Sequence, residues 1–506
     1  MERLRIEGFR SIKDSGKIDI KPITAIIGKN SCGKSSFIRF FPLLKQSLEK
    51  QISDSLLWFG DYVDFGDYTQ IKPYFNKKAS TKFEFSLYIR ENYYLRRYCE
   101  GLKRNQKFLV TTCFTIQEKM ISELNIEYCD QVIDIILEKN GSIKSINVNS
   151  EPYFFEQGSY VWKNEMIGII PSITLNNKKN DFYFRYFRFE NEEAEKRLKD
   201  LIKSIAKSNT GIESIEKLSE ELTKIFSQEE LIKYLSKYSQ LKTVSEYFEK
   251  INTNDETFKE INACSVMSLL PRLIYQINET LLHESENTHY LKPIRANVDR
   301  YYRVQGVSID QVDSDGSNIP MVLYNLSNVH LENFEKWCEK KFGIIFSLSF
   351  ESGHVSLVLK DGKNSTTNLA DTGYGYSQIL PIIVELWILS QKQSKDNLKH
   401  YCNTVVIEQP ELHLHPAFQI KIINLFANIV NEARKNNIDI KIVFETHSET
   451  MINELGHLVE MKEIDINDVN ILAFNKDEGI TDITPMRFNK NGLIENWPLG
   501  FFSVGG

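Results

Sequence analysis

Apolar positions along the chain change their spacing three times. The opening segments LRIEGF and KIDI alternate like short strands, and they lead into PITAII, a glycine-containing loop and the apolar run FIRFFPLLKQSL, so strand, loop and helix follow in that order. From about 75 to 190 the pattern is aromatic and β-rich with turn signals: EFSLYI, FLVTTCFTI, VIDIIL before KNGS, then SINV. Residues 191–285 are rich in Lys and Glu at helical spacing. A break over Leu291–Ser317, rich in Pro, Gly, Asp and Ser, precedes a return of the α/β pattern. There VSLVLK, a Gly-rich loop, a helix from Gln378, the strand TVVI, a helix from His415 and the strands IKIVF and NILAF succeed one another. Strands alternating with helices predict a mostly parallel sheet with ligands at the strands' carboxyl ends. The expected organisation is one α/β head made of residues 1–74 and 291–506, split by an α+β insertion at 75–290 that is β-rich first and helical afterwards.

A chain of 506 residues holds roughly two to four structural units. With 42% hydrophobic and 26% charged residues the composition is globular. No window reaches the about 18 uncharged apolar residues of a membrane span, and MERLRIEGFR lacks the apolar core of a secretory signal, so a cytoplasmic protein is expected. The seven cysteines are scattered without a CxxC pair, which points to reduced packing residues. A net charge of −6 makes the whole chain no generic binder of nucleic acid. DNA or RNA is left open as a ligand of a local patch or of an assembled dimer.

Residues Gly28, Lys29, Asn30, Ser31, Cys32, Gly33, Lys34 and Ser35 match the phosphate loop GxxxxGK[ST], directly after an apolar strand and before a helix. Glycines let the backbone wrap the phosphates, Lys34 would reach the β- and γ-phosphates of ATP, and Ser35 would ligate Mg²⁺. Cys32 is read as incidental to the loop, although its thiol could make the site sensitive to alkylation or oxidation. The strand TVVI ends on Glu408, expected to hold Mg²⁺ through water; Gln409 follows, and Glu411 is the alternative residue for activating the attacking water. His413 and His415 follow in HLHP without a further ligand pattern, which favours contact or packing roles over a metal site. His447 ends the strand IKIVFET, level with Glu408, where an imidazole can donate to a γ-phosphate or orient water. In DTGYGYSQ, Gly373, Gly375, Ser377 and Gln378 form a Gly-rich helix start with Ser377 as N-cap and Pro381 in the first turn. A second phosphate-seeking helix end makes sense if it reaches the ATP of a partner.

These motifs in this order, with LRIEGFRSIKD at the start, resemble the ABC-type ATPases of the SMC, RecF and OLD group, most of all the prokaryotic AAA-family ATPases of anti-phage systems. The resemblance covers about 1–70 and 290–506. Residues Arg10 to Lys13 match the family's FRS segment, which leans on the nucleotide. Gly28 to Ser36 match its Walker A loop, Asp371 to Gln378 its signature loop, Glu408 to Pro416 its Walker B and dimer-contact loop, and His447 its switch histidine. The tail Asn491 to Phe502 resembles a short C-terminal module of a subset. GYGYSQ departs from the transporters' LSGGQ, and Gln409 from the usual glutamate.

The resemblance implies two heads that sandwich ATP, each bound by one subunit's Walker loops and the other's signature loop, in a homodimer or higher even oligomer. It further implies an ATPase that senses infection and holds or releases a separately encoded nuclease or toxin, as in Septu, retron or PARIS-like systems. Residues 448–506 are expected to be too short for the TOPRIM nuclease domain of OLD proteins, and Asp313 with Asp315 is read as a loop. A RecF- or SMC-like repair ATPase that clamps nucleic acid, and a nucleotide-locked scaffold that does not hydrolyse, are the alternatives. A transporter subunit fits the signature loop poorly.

Overall fold

The computed structural model describes the chain except residues 51, 53, 77–78, 91–106, 140–141, 157–159, 164–167, 176–190, 209, 225–226, 305, 307–308, 310, 361–364, 392–401 and 496–506. Most of the expected C-terminal module therefore lies outside the described residues. Two compact units are present: Met1–Arg5, Ser47–Leu57 and Ser80–Leu282 form one, and Ile6–Gln46, Trp58–Ala79 and His283–Gly506 the other.

The second unit is built on parallel strands that are buried over all or most of their length and carry apolar runs at their centres, as strands covered on both faces do. We number its elements β1 (Ile23–Gly28), α1 (Lys34–Ile38), β2 (Thr288–Leu291), α2 (Tyr374–Gln391), β3 (Cys402–Glu408), α3 (Pro416–Lys435), β4 (Asp439–Thr446), α4 (Glu449–Glu460), β5 (Val469–Asp477) and β6 (Ile480–Met486). The strand order is β2, β3, β4, β1, β5, all parallel, and β6 then returns antiparallel to β5. Ile12–Asp14 runs parallel to β6 through Ile12 and Thr481. Every residue of β1 and β3 is buried. Ile382, Ile383 and Leu386 of α2, Ile422 and Phe426 of α3, and Ile452 and Leu455 of α4 pack into one core with Ile407 and Phe444 of the strands. The α/β class, the mixed sheet and its flanking helices are those the sequence predicts.

Register does the functional placing. In β3 and β4, Glu408 stands beside Glu445, and in β4 and β1, Thr446 stands beside Ile27. Three strand ends therefore terminate at one level, the carboxyl edge, where open α/β sheets bind ligands.

The first unit is an antiparallel meander of Thr81–Arg90, Lys107–Gln117, Met120–Tyr128, Gln131–Leu137 and Ile143–Val148. Along Gln131–Leu137 alternate residues are buried, which marks one covered face. Helices follow at Glu192–Ile205, Ile212–Leu222, Gln228–Ser236 and Lys242–Phe248. Gln131 and Asn262 exchange buried side-chain hydrogen bonds of 2.8 and 3.0 Å. Among the described residues no helix is long and apolar enough to cross a membrane.

Candidate functional site

The loop between β1 and α1 is shaped by Gly33, at φ 100°, where a Cβ would stand 2.6 Å from Thr481 Oγ1 and 3.1 Å from Ser11 Oγ. Only glycine permits both that backbone and that approach. The Thr481 hydroxyl lies 2.8 Å from both Ser11 Oγ and the Cys32 carbonyl, which fastens the Arg10–Ser11 corner to the loop. Arg10 itself is at φ 54°, its guanidinium 4.9 Å from the Phe65 ring and its buried Nε without a hydrogen bond inside the protein. Lys29, Asn30 and Ser31 are exposed, while Cys32 is buried and burial, opposed by the nearby Lys34, raises its thiol pKa. A shielded, protonated thiol of this kind is a poor nucleophile. Lys34 is 3% exposed and its ammonium donates to the carbonyls of Gly28 (3.0 Å) and Lys29 (2.8 Å), bonds a bound anion would compete for. Ser36 follows on the half-buried side of α1.

Two acids meet this loop, in different ways. Glu445, at the end of β4, accepts the Ser35 hydroxyl at 3.0 Å and lies 3.6 Å from the Lys34 ammonium. Its pKa is raised by burial, against the pull of Lys34. Glu408, the expected metal carboxylate, faces elsewhere. Arg39 grips it from both sides, Nε to Oε1 at 2.7 Å and Nη2 to Oε2 at 2.9 Å, and the Tyr290 hydroxyl donates to Oε1 at 2.6 Å. Burial opposes the charge on Arg39, but the bond to Glu408 outweighs it and raises the guanidinium pKa; burial, then Glu408, raises that of Tyr290.

Beyond the acids lies a cluster of buried polar atoms. Glu411 Oε1 accepts from the His447 amide at 2.7 Å, whereas Glu411 Oε2 and His447 Nε2 are buried and make no hydrogen bond within the protein. Burial raises the Glu411 pKa, and burial, then the charge on Lys34, lowers that of His447. Gln409, at φ 46°, donates its amide to the Glu445 carbonyl at 2.9 Å. Arg295, 2% exposed in the break after β2, donates through Nη2 to the Glu408 carbonyl at 3.3 Å, and its Nε and Nη1 find no partner in the protein. Burial lowers its pKa to about 10, although Glu411 and Glu408 pull the other way.

The Gly-rich segment differs from expectation in detail. α2 starts at Tyr374, so Ser377 is not an N-cap: it lies inside the helix, 8% exposed, and gives its hydroxyl to the Tyr374 carbonyl at 2.7 Å. Pro381 is accordingly well inside the helix. Gln378 is buried and accepts the Arg295 amide at 3.4 Å. Asp371, Gly373 and Tyr374 of this segment are exposed, with open space around Gly373. At Gly375 a Cβ would stand 3.0 Å from the His413 carbonyl, so the segment lies directly on the HLHP loop. His413 is at φ 60° with its ring 6.2 Å from that of Tyr374, and His415 caps α3 through the Ala417 amide. Among the described residues no group of three or more His, Cys, Asp or Glu is arranged to hold a metal. A hydroxyl and a carboxylate on a phosphate loop suit Mg²⁺, which keeps most of its water and takes further oxygens from phosphate.

Glu445, Arg39, Tyr290 and Arg295 are absent from the sequence-level site. Glu445 had a signal, since FETHS ends a strand on an acid as VVIEQ does. Arg39 sits one turn after Ser35, inside an apolar run that reads as packing.

A family profile described as AAA ATPase domain matches residues 1–452. Endonuclease GajA of Bacillus cereus (strain HuB5-5) is 22% identical over 476 residues, covering 90% of this chain and 56% of that protein, so the chain spans about half the length of this curated relative. The SMC head domain from Thermotoga maritima aligns with a TM-score of 0.34 at 11% identity, over 96% of this chain and 98% of that one. The Smc head domain of Pyrococcus furiosus, solved with an extended coiled coil and bound to the C-terminal domain of ScpA, gives 0.32 at 11% identity, over 96% of each chain. With the profile spanning most of its length, the chain belongs to the AAA ATPase domain family.

Proposed function

We propose that the chain binds ATP with Mg²⁺ in the Gly28–Ser36 loop and hydrolyses it as one head of a homodimer or higher even oligomer. In this reading the ATPase cycle controls a separately encoded nuclease or toxin effector in cytoplasmic anti-phage defence. The observation that carries the proposal is a pair of unpartnered buried atoms, Glu411 Oε2 and His447 Nε2, on residues joined through the His447 amide, with the charge of Lys34 acting on the His447 ring. Buried polar atoms are nearly always satisfied, and an open acceptor and an open donor on hydrogen-bonded residues are groups that an attacking water and a γ-phosphate oxygen can use.

Glu411 takes the proton of the attacking water. His447 Nε2 donates to the phosphoryl oxygen, and its lowered pKa keeps the ring neutral with one nitrogen left to donate. Lys34 exchanges its two loop carbonyls for phosphate oxygens, and Arg10 leans on the nucleotide. Mg²⁺, when bound at Ser35 beside the acidic strand tips Glu408 and Glu445, supplies charge that offsets the phosphates. Gly373 and Tyr374 present the edge that meets a partner's nucleotide, while Gly375, Ser377 and Gln378 shape it from behind. The name of the GajA relative supports a link to nuclease action; nucleic acid itself is the ligand of the RecF- or SMC-like alternative. Gln409 favours a second reading, a nucleotide-locked scaffold, because an amide cannot accept the water's proton.

The test is ATP turnover by the purified chain over a range of concentrations, with Lys34→Ala and Glu411→Gln, with and without duplex DNA. Specific activity that rises with protein concentration and is lost in both variants supports the two-head ATPase. Stimulation by DNA favours the clamp, and tight ATP binding without turnover favours the scaffold.

A further inference from the structure

The two strand-tip acids are equally buried, yet their surroundings make them chemically different. Glu408 is saturated: a bidentate guanidinium and a phenol supply three short hydrogen bonds to its two oxygens, and the guanidinium neutralises its charge. To reach a metal it would have to give up that grip. Glu445 is under-compensated, with one hydroxyl at 3.0 Å and one ammonium at 3.6 Å, and that ammonium is the group expected to turn toward phosphate. A cation is what its surroundings lack.

The direction of the Ser35 bond matters as much. A hydroxyl has one proton and two lone pairs. Because Ser35 Oγ donates its proton to Glu445 Oε2, its lone pairs are turned away from that carboxylate and remain available for a ligand. An outer-shell carboxylate orients a metal-binding group in this way, and loss of such a partner weakens metal affinity.

We propose that Glu445, not Glu408, is the acidic partner of the Mg²⁺ that accompanies ATP. It takes the Ser35 proton, aims the Ser35 lone pairs at the ion and accepts a hydrogen bond from a metal-bound water, while Glu408 stays with Arg39 and Tyr290 as a strut between α1 and β2. The inference rests on the ATP-binding reading of the phosphate loop.

Fluorescent ATP titrations of the full chain, with Mg²⁺ and with EDTA, test it together with Mn²⁺ binding followed by electron paramagnetic resonance in the presence of ATP. In Glu445→Gln the Mg²⁺-dependent gain in ATP affinity and the affinity for Mn²⁺ fall at least about tenfold, while binding in EDTA stays within about threefold of wild type. Glu445→Asp, which keeps the charge, retains part of the gain, and Glu408→Gln retains it in full. The proposal is overturned if Glu408→Gln abolishes the gain while Glu445→Gln keeps it, or if Glu445→Gln matches wild type. Wild-type protein that binds no nucleotide under either condition would instead overturn the ATP reading itself.

Discussion

If Glu408 is a strut, removing Arg39 should destabilise the protein before any nucleotide is added. Arg39→Ala takes two charge-assisted hydrogen bonds from a carboxylate that is 2% exposed and leaves only the Tyr290 hydroxyl on it. Breaking a buried pair by removing one partner costs about 3–5 kcal/mol. The Arg39 side chain is 32% exposed, so water can follow into its place, and the expected cost falls to about 2–3 kcal/mol. Glu408→Gln is milder, because Arg39 can turn to solvent and the amide still accepts, and about 1–2 kcal/mol is expected. The double variant Arg39→Ala/Glu408→Gln should be less damaged than the sum by about 1–2 kcal/mol, since no buried charge is left alone.

Two compact units make a single two-state transition an unsafe assumption, so the measurement should be local. Hydrogen exchange of peptides spanning Cys402–Glu408 reads opening of β3 directly, and urea unfolding gives the global comparison. An Arg39→Ala protein that keeps wild-type protection over that strand, or a double variant additive to within about 0.5 kcal/mol, would refute the strut.

Gly375→Ala places a methyl 3.0 Å from the His413 carbonyl, a contact that displaces the HLHP loop by a few tenths of an ångström; turnover should fall severalfold while ATP affinity of the isolated head, read by fluorescent nucleotide, stays unchanged. The rate of hydrolysis should decline as pH falls, with a midpoint above that of an ordinary carboxyl, because burial raises the Glu411 pKa and the base works only when ionised. A pH–rate profile that keeps this acid limb in Glu411→Gln would assign the base elsewhere.

The central architecture was legible because its signals are local. β1 and β3 each centre on a short apolar run, AII and VVI, and the phosphate loop is a contiguous motif. The site's long-range pairings were not. VVIEQ and FETHS are equivalent in sequence, each an apolar strand ending in an acid, and parallel register sets Glu408 and Glu445 shoulder to shoulder. Which one meets Ser35 is decided by Arg39, whose guanidinium claims Glu408 across a separation of hundreds of residues that no local pattern encodes. The start of α2 was misplaced for a related reason: DTGYGYSQ has the composition of a loop, but its Gly375 serves a close approach to His413 rather than a turn.

That close approach changes what the segment can do. A hydroxyl exposed at a helix start could contact a partner's phosphate directly, but Ser377 is turned inward and its proton is spent on the Tyr374 carbonyl. What remains outside is Asp371, Gly373 and Tyr374, and behind them lie buried polar contacts. His289 of β2 meets Glu385 of α2 at 2.7 Å with both side chains buried, and Arg295 spans from the Gln378 side chain to the Glu408 carbonyl. A close-packed element of this kind transmits displacement rather than absorbing it. Pressure on Tyr374 therefore reaches the loop that carries Glu411 through His413 on one side and Arg295 on the other. If the proposed two-head ATPase holds, these residues would join the chemistry of one nucleotide site to the surface that a second head touches.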